Sequence, residues 1–354
     1  MCNIAGYIGS RDAAPILINM IREQEGLNGG FYTGIATLHE GKIHYRKVVG
    51  DLSELLKRTD AASLPGNIGI IHSRTPGFAG DEWSHPFVHE QNGEVFSALV
   101  LNGSIGCFKP LDQKRIEVAE QLLSEGFDMK TQLGADYKVT SVLQKPGAAV
   151  FLGDGSRVHP SDITCQLTAK FMLEGLSAPK ALTRCMSEIP KEVVVLMLSL
   201  NEPEAISWTR VNQPMHLAYA DHGAYLATAP QAIPDDAGEY ILLPVQSSGL
   251  VKRDGFTVEP YKKAPARIAP LTPRVRRDVY ETIVCALKTE KHTLSSLTKL
   301  AKPLFDEADC VQGTASVYPV LCDLKKRGIL KIEKGSRQGV FEGLSAPVDY
   351  LYIE

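Results

Sequence analysis

Cys2 is the residue whose type and position could do chemistry. If Met1 is removed before it, one residue carries both a thiol and a free α-amine, a nucleophile with its own base attached. An unperturbed thiol titrates at about 8.5 and an α-amine near ~8. The amine can therefore take the thiol proton, through water, and return it to a departing ammonia. That chemistry opens an amide. It creates a tetrahedral oxyanion, which needs donors already aimed at it.

Such a site needs a rigid frame. The run from Asn3 to Gly9 is apolar, ends in Gly9-Ser10 and reads as a buried strand. Asp12 is a candidate cap for a helix over 13–25, where Ile16, Leu17, Met20 and Ile21 recur at helical spacing, and Gly26, Gly29 and Gly30 stop it. Short β-branched runs at 34–38, 42–49, 66–72 and 95–101 read as strands. Amphipathic helices are expected over 115–124 and 164–175, and strands over 193–199, 215–220 and 224–228. Strand runs broken by a few helices indicate an α+β fold.

Four segments, in this order, resemble the class II (N-terminal-nucleophile) glutamine amidotransferases. Cys2-Asn3-Ile4-Ala5-Gly6-Tyr7-Ile8-Gly9 is similar to that family's opening nucleophile and strand, and Ile71-His72-Ser73-Arg74-Thr75 to its His-x-Arg segment. Ser84-His85-Pro86-Phe87 is similar to its Ala-His-Pro segment, and Leu101-Asn102-Gly103-Ser104-Ile105 to its Asn-Gly segment. The nearest pattern is the glutaminase half of glucosamine-6-phosphate synthase, over roughly residues 1 to 245. The resemblance implies an α+β, N-terminal-nucleophile αββα sandwich over 1–258.

The resemblance also assigns roles. Cys2 is the nucleophile, and the Asn102 side-chain NH2 with the Gly103 backbone N–H is the oxyanion pair. Asn-Gly is equally the commonest hairpin-turn signal. Arg74 would clamp the substrate α-carboxylate, because a planar guanidinium grips a carboxylate with two hydrogen bonds; the plain alternative is a surface arginine. Asp162 would hold the α-ammonium and is also a helix-cap candidate; a different alignment gives that role to Asp136. Thr75 and His85 complete the substrate-binding set, His85 by organising the loop with Pro86. His72, closing an apolar strand, reads as structural. Gly29, Gly30 and Gly34 correspond loosely to a family glycine loop. The chain departs from the pattern at Asn3 (family Gly), Thr75 (Trp in the synthases), Leu101 (often His) and Asn28 (Arg), and by an insertion of roughly 35 residues between Phe108 and Asp162. The nucleophile, oxyanion donors and clamp survive all of these.

Pro260, Pro265, Pro270 and Pro273 mark 259–273 as an extended linker. Beyond it, 274–354 reads as helices over 276–289, 294–302 and 314–327 and short strands over 329–333 and 339–342. The stretch 315–331 resembles the third helix and first wing strand of winged-helix domains, with Leu321, Leu324, Ile329 and Leu330 as core and Pro319 against it. This tail holds 13 Lys+Arg and 11 Asp+Glu, little positive charge for binding phosphates. Lys325, Lys326, Arg327, Lys331, Lys334 and Arg337 do cluster, so protein contact or dimerisation is expected ahead of DNA binding.

The whole chain has 354 residues, 44% hydrophobic and 22% charged, and a net charge of -3, which fits a packed core and does not fit a chain that coats nucleic acid or anionic lipid. No membrane-spanning run or secretory signal is visible. The seven cysteines form no CxxC pair, so no metal site is expected. Those other than Cys2 read as buried small hydrophobes. A cytoplasmic enzyme without cofactor is expected, hydrolysing L-glutamine and passing ammonia to an unknown acceptor, which a partner enzyme could hold; a homo-oligomer is possible. Two alternatives stand beside it: an N-terminal Cys amidase acting on another amide, and a catalytically silent glutamine sensor reporting through the tail.

Overall fold

A computed structural model describes residues 2–143, 149–305 and 308–354. Met1, whose removal the sequence leads one to expect, lies outside them. The chain opens with β1 (Asn3–Gly9), α1 (Ala13–Gln24), β2 (Tyr32–His39), β3 (Lys42–Val49), α2 (Leu52–Arg58) and β4 (Ile68–Arg74). Then come β5 (Phe87–Gln91), β6 (Glu94–Ser104) and α3 (Asp112–Ser124). The short β7 (Val150–Phe151) and β8 (Arg157–Val158) precede α4 (Pro160–Leu173) and α5 (Ala178–Glu188). Next are β9 (Glu192–Ser199), β10 (Ile206–Arg210), β11 (His216–Ala220), β12 (Gly223–Ala227), β13 (Ile241–Leu242), β14 (Ser247–Lys252), β15 (Gly255–Phe256) and β16 (Glu259–Pro260). A last unit holds α6 (Pro273–Thr289), α7 (Leu294–Ala301), α8 (Gly313–Lys326), β17 (Leu330–Gln338) and β18 (Ser345–Ile353).

Two antiparallel sheets form a sandwich. One runs β13-β11-β12-β1-β4-β2-β3, the other β15-β14-β10-β9-β6-β5. The reason lies in the period-two burial of strands packed on both faces. In β1, Ile4 and Ile8 point between the sheets with Ile70, Val100, Leu196 and Trp208. Ala5 and Tyr7 point outward, under Leu17 and Ile21 of α1. On the far side, α3, α4 and α5 cover Leu101, Val193 and Val195 with Val118, Phe171 and Leu182. The layers are therefore helix, sheet, sheet, helix, as expected.

Several local expectations shift. Asp12 makes no side-chain cap bond to α1. α4 starts four residues earlier than expected, with Pro160 at its first turn and His159 as its cap, the ring Nδ1 accepting from the Ser161 N–H at 3.0 Å. Cys107 and Cys285 are exposed rather than buried. The second tail strand lies at β18, not over 339–342, which forms the turn. Ala346 and Val348 are buried on one face of β18 and Leu351 and Ile353 on the other, and Pro347 is tolerated because its side of the backbone faces away from β17, where the N–H groups of Asp349 and Leu351 bond to the Gly26 and His292 carbonyls.

The residues 259–273 touch both units: Glu259 and Pro260 pair with β14 and the Tyr261 hydroxyl meets Thr209 in the front one, and Ile268 bridges Cys310 in the last. The last unit has its own apolar cluster, including Val279, Ile283, Leu297, Leu321 and Leu324. α8 is buried along nearly its whole length, so only its final turn, near Lys325 and Lys326, is open for contact.

Candidate active site

β1 is the middle strand of its sheet, between β12 and β4, with Asn3 opposite Ser73 and Ile4 opposite His72. This register delivers Cys2 to the end of the sandwich, beside the ends of β4 and β6. Cys2 is buried, and its backbone N–H donates to Asn102 Oδ1 at 2.8 Å. Its Sγ lies 3.6 Å from Thr75 Oγ1. A cavity of about 170 Å³ opens there, lined among others by Cys2, Arg74, Thr75, His85, Gly103, Ile105, His159 and Lys191.

Asn102 ends the buried stretch of β6. With its Oδ1 spent on Cys2, its Nδ2 donates to no other group among the described residues. Gly103 follows at φ +141°, and a Cβ there would sit 2.0 Å from the Glu192 carbonyl oxygen. Only glycine fits. Arg74 is buried, stacks over the Tyr32 ring at 4.7 Å and donates from Nη1 to the Trp83 carbonyl at 2.8 Å. These contacts hold the head group inside the protein, at a residue that lines the cavity. Burial lowers its pKa.

His72, which reads as structural in the sequence, lies close enough to Cys2 to influence its thiol. Its Nε2 faces the Leu101 carbonyl at 3.1 Å. A carbonyl only accepts, so Nε2 carries the proton and Nδ1 is the ring atom left for the thiol. Burial raises the Cys2 thiol, but the neighbouring His72 imidazole, then the amino terminus and the Thr75 backbone, together more than offset that and bring it down to about 6. His85 stacks against His72 with centroids 3.9 Å apart and has both ring nitrogens unpartnered. Burial, then the neighbouring positive groups, holds it well below its usual range, so it is neutral. His159 and Lys191 escaped notice. Lys191 is 2% exposed, donates to the Pro160 carbonyl and Thr164 hydroxyl, and is lowered to about 7 by burial. His72 carried a signal, its place two residues before Arg74; a lone Lys191 beside Pro190 carried none.

Two expected residues stand apart. Asp162 is not among the cavity-lining side chains: Oδ2 accepts from Thr131 N–H and hydroxyl at 3.1 and 2.7 Å, and Oδ1 from Gln166 at 3.0 Å. Asp136 is exposed at the surface. Asn3, one of the departures, has a structural job. Its Nδ2 donates to the carbonyls of Gln24 and Asn28 at 2.7 and 2.6 Å, tying the glycine loop to β1. The β17–β18 hairpin holds that loop from outside, through Asp349 N–H on the Gly26 carbonyl at 2.8 Å and Arg337 on the Gly29 carbonyl at 3.3 Å.

No family model matches the chain. A glutamine–fructose-6-phosphate aminotransferase from Pyrococcus horikoshii is 27% identical over 269 residues, which are 73% of this chain and 38% of that protein. One from Bartonella henselae is 22% identical over 335 residues, 94% of this chain and 47% of its own length. One from Caldanaerobacter subterraneus is 39% identical over 127 residues, 35% of this chain and 20% of its own. The chain spans less than half the length of these relatives. Among solved structures, the glutamine phosphoribosylpyrophosphate amidotransferase from B. subtilis superimposes with a TM-score of 0.57 at 14% identity, over 82% of this chain and 59% of that one. The sandwich is the fold of the N-terminal-nucleophile amidotransferases.

Proposed function

We propose that the chain, similar to glutamine amidotransferases in sequence and sharing their sandwich, is an enzyme of the class II, N-terminal-cysteine type that hydrolyses the side-chain amide of L-glutamine through Cys2. The observation that carries this reading is the thiol itself: buried, lowered to about 6, and set between Asn102, Thr75 and Arg74 at one cavity.

In this reading Arg74 holds the α-carboxylate and places the side-chain amide over Cys2. Sγ attacks the amide carbon, and its proton passes to the α-amine freed by loss of Met1, with His72 holding the thiolate ready. The carbonyl oxygen becomes an oxyanion received by Asn102 Nδ2 and the Gly103 N–H. The C–N bond breaks, the amine's proton leaves with ammonia, and a glutamyl thioester remains. Water then attacks the thioester, giving glutamate and the free thiol. His85, neutral and unpartnered, shapes the wall of the cavity. The ammonia acceptor would belong to a partner enzyme. The C-terminal unit, in its winged-helix-like reading, serves protein contact: α8 is covered, and the hairpin already grips the glycine loop.

Asp162 favours a second reading. Its carboxylate is engaged by Thr131 and Gln166, which leaves the α-ammonium without an evident holder. An N-terminal Cys amidase that opens another amide needs no such group. Assaying the wild type and Cys2→Ser for glutamate and ammonia separates the two. Equal release by the wild type and none by Cys2→Ser supports glutamine hydrolysis. Turnover in Cys2→Ser overturns the role of Cys2, and an inert response to glutamine with cleavage of another amide gives the second reading.

A further inference from the structure

Two other sulfurs, outside the cavity of Cys2, meet each other. Cys107 lies just beyond the segment of β6 that carries Asn102 and Gly103, and Cys310 lies just before α8. Their Sγ atoms are 2.6 Å apart although 203 residues separate them in sequence. Both are held from the backbone. The Cys107 N–H donates to Glu192 Oε1 at 3.2 Å, while Cys310 pairs with Ile268 and its carbonyl accepts from the Ala269 N–H at 3.0 Å. Cys107 is exposed and Cys310 is buried.

The Glu192 carboxylate lies within 4.8 Å of both sulfurs, as a metal site would require. The sulfur separation argues otherwise. Two thiolates on a tetrahedral metal, with bonds of about 2.3 Å, stand about 3.8 Å apart. A disulfide brings them to about 2.05 Å. The observed contact is nearer the second arrangement.

We propose that Cys107 and Cys310 form a reversible disulfide that tethers the C-terminal unit to the segment following the oxyanion residues, with a small-molecule disulfide such as oxidised glutathione as oxidant. The exposed Cys107 thiolate attacks one sulfur of the oxidant, forming a mixed disulfide and expelling one thiolate, which takes up the Cys107 proton. Cys310 passes its proton to Glu192 and attacks the Cys107 sulfur. The second small thiolate leaves and takes that proton. Two protein thiols become one disulfide, and one small disulfide becomes two thiols. Burial first, with the Glu192 carboxylate adding to it, holds both protein thiols above their ordinary range, so exchange is slow at neutral pH and quickens as pH rises. Fixing Cys310 to Cys107 would hold the approach to α8 against β6 and β9, adding a covalent tie to the hydrogen bonds that Arg210 and Asn212 make to Gln312 and the Val311 carbonyl.

The test is peptide mapping without reduction, on the full chain incubated with oxidised glutathione. The expected result is one peptide pair linked through Cys107 and Cys310, reversed by dithiothreitol and absent from Cys107→Ser and Cys310→Ser. The oxidised wild type should also melt several degrees higher than the reduced form, a rise that Cys107→Ser, altered only at an exposed position, does not show. A stable glutathione adduct on Cys107 with no cross-link would overturn the proposal. So would one equivalent of zinc bound by the reduced wild type and lost in Cys107→Ser.

Discussion

Asn102 Oδ1 accepts the Cys2 backbone N–H at 2.8 Å, so the end of β6 in one sheet fixes the start of β1 in the other. In the proposed mechanism one side chain thereby serves two purposes: its oxygen anchors Cys2, and its NH2 is left for the oxyanion. The two can be separated. Asn102→Asp keeps an acceptor for Cys2 but has no NH2 and should lose about 10²- to 10³-fold in kcat with little change in melting temperature. Asn102→Ala should lose activity and stability together. Equal kcat values for Asn102→Asp and the wild type would remove Asn102 from the oxyanion hole.

His72 sets the pH dependence. A thiol at about 6 is largely thiolate by neutral pH, so kcat/KM for glutamine should rise through about pH 6 and then level. Without His72 only the amino terminus and the Thr75 backbone oppose the burial penalty, and the ascending limb of a His72→Asn variant should move alkaline by roughly 1–2 units. Alkylation of Cys2 by iodoacetamide should follow the same two curves. Coincident profiles would show that the imidazole does not govern the thiol.

Arg74 distinguishes substrate holding from chemistry. Arg74→Lys keeps the charge but loses the planar pair of donors, and KM for glutamine should rise about 10- to 100-fold with a smaller fall in kcat. Steady-state kinetics on glutamine alone decides this. A variant with unchanged KM would favour the amidase that does not recognise a free amino acid.

Glu25 couples the glycine loop to β4 and should make stability depend on pH. Ser73 and Leu52 donate to its carboxylate at 2.7 and 3.0 Å, yet burial dominates and raises it to about 7. The folded state therefore favours the protonated acid. Its contribution is present in full below the unfolded pKa, about 4.3, and is lost as pH rises through about 7. Melting temperatures measured from about pH 5 to about pH 8 should fall more steeply for the wild type than for Glu25→Gln. Parallel curves would contradict the assignment.

Much of this was legible in the sequence because the signals are local. β1 and β3 fall on their expected residues, since apolar runs and alternation are set by neighbours along the chain. β5 and α5 were not expected. Phe87–Gln91 is too short and mixed to stand out, and α5 follows so closely on α4 that its start, Ser177-Ala178-Pro179, is masked. At the site, the motifs located Cys2, Arg74, Thr75, His85 and Gly103, and the fold brings all five to one cavity. What spacing could not show was orientation. Whether His72 turns its ring toward Cys2, or Asp162 toward Thr131, depends on register between strands and on a helix that begins earlier than expected. Lys191 and the contact of Cys107 with Cys310 depend on pairings across the whole chain.

The most direct measurement is an intact and peptide mass spectrum of the active protein after incubation with 6-diazo-5-oxo-norleucine, an electrophile shaped like glutamine. A chain that has lost Met1 and carries one adduct, on the sulfur of Cys2, blocked by excess glutamine and absent from Cys2→Ala, is the predicted result. A fully active chain that retains Met1, or an adduct on any cysteine other than Cys2, would contradict it.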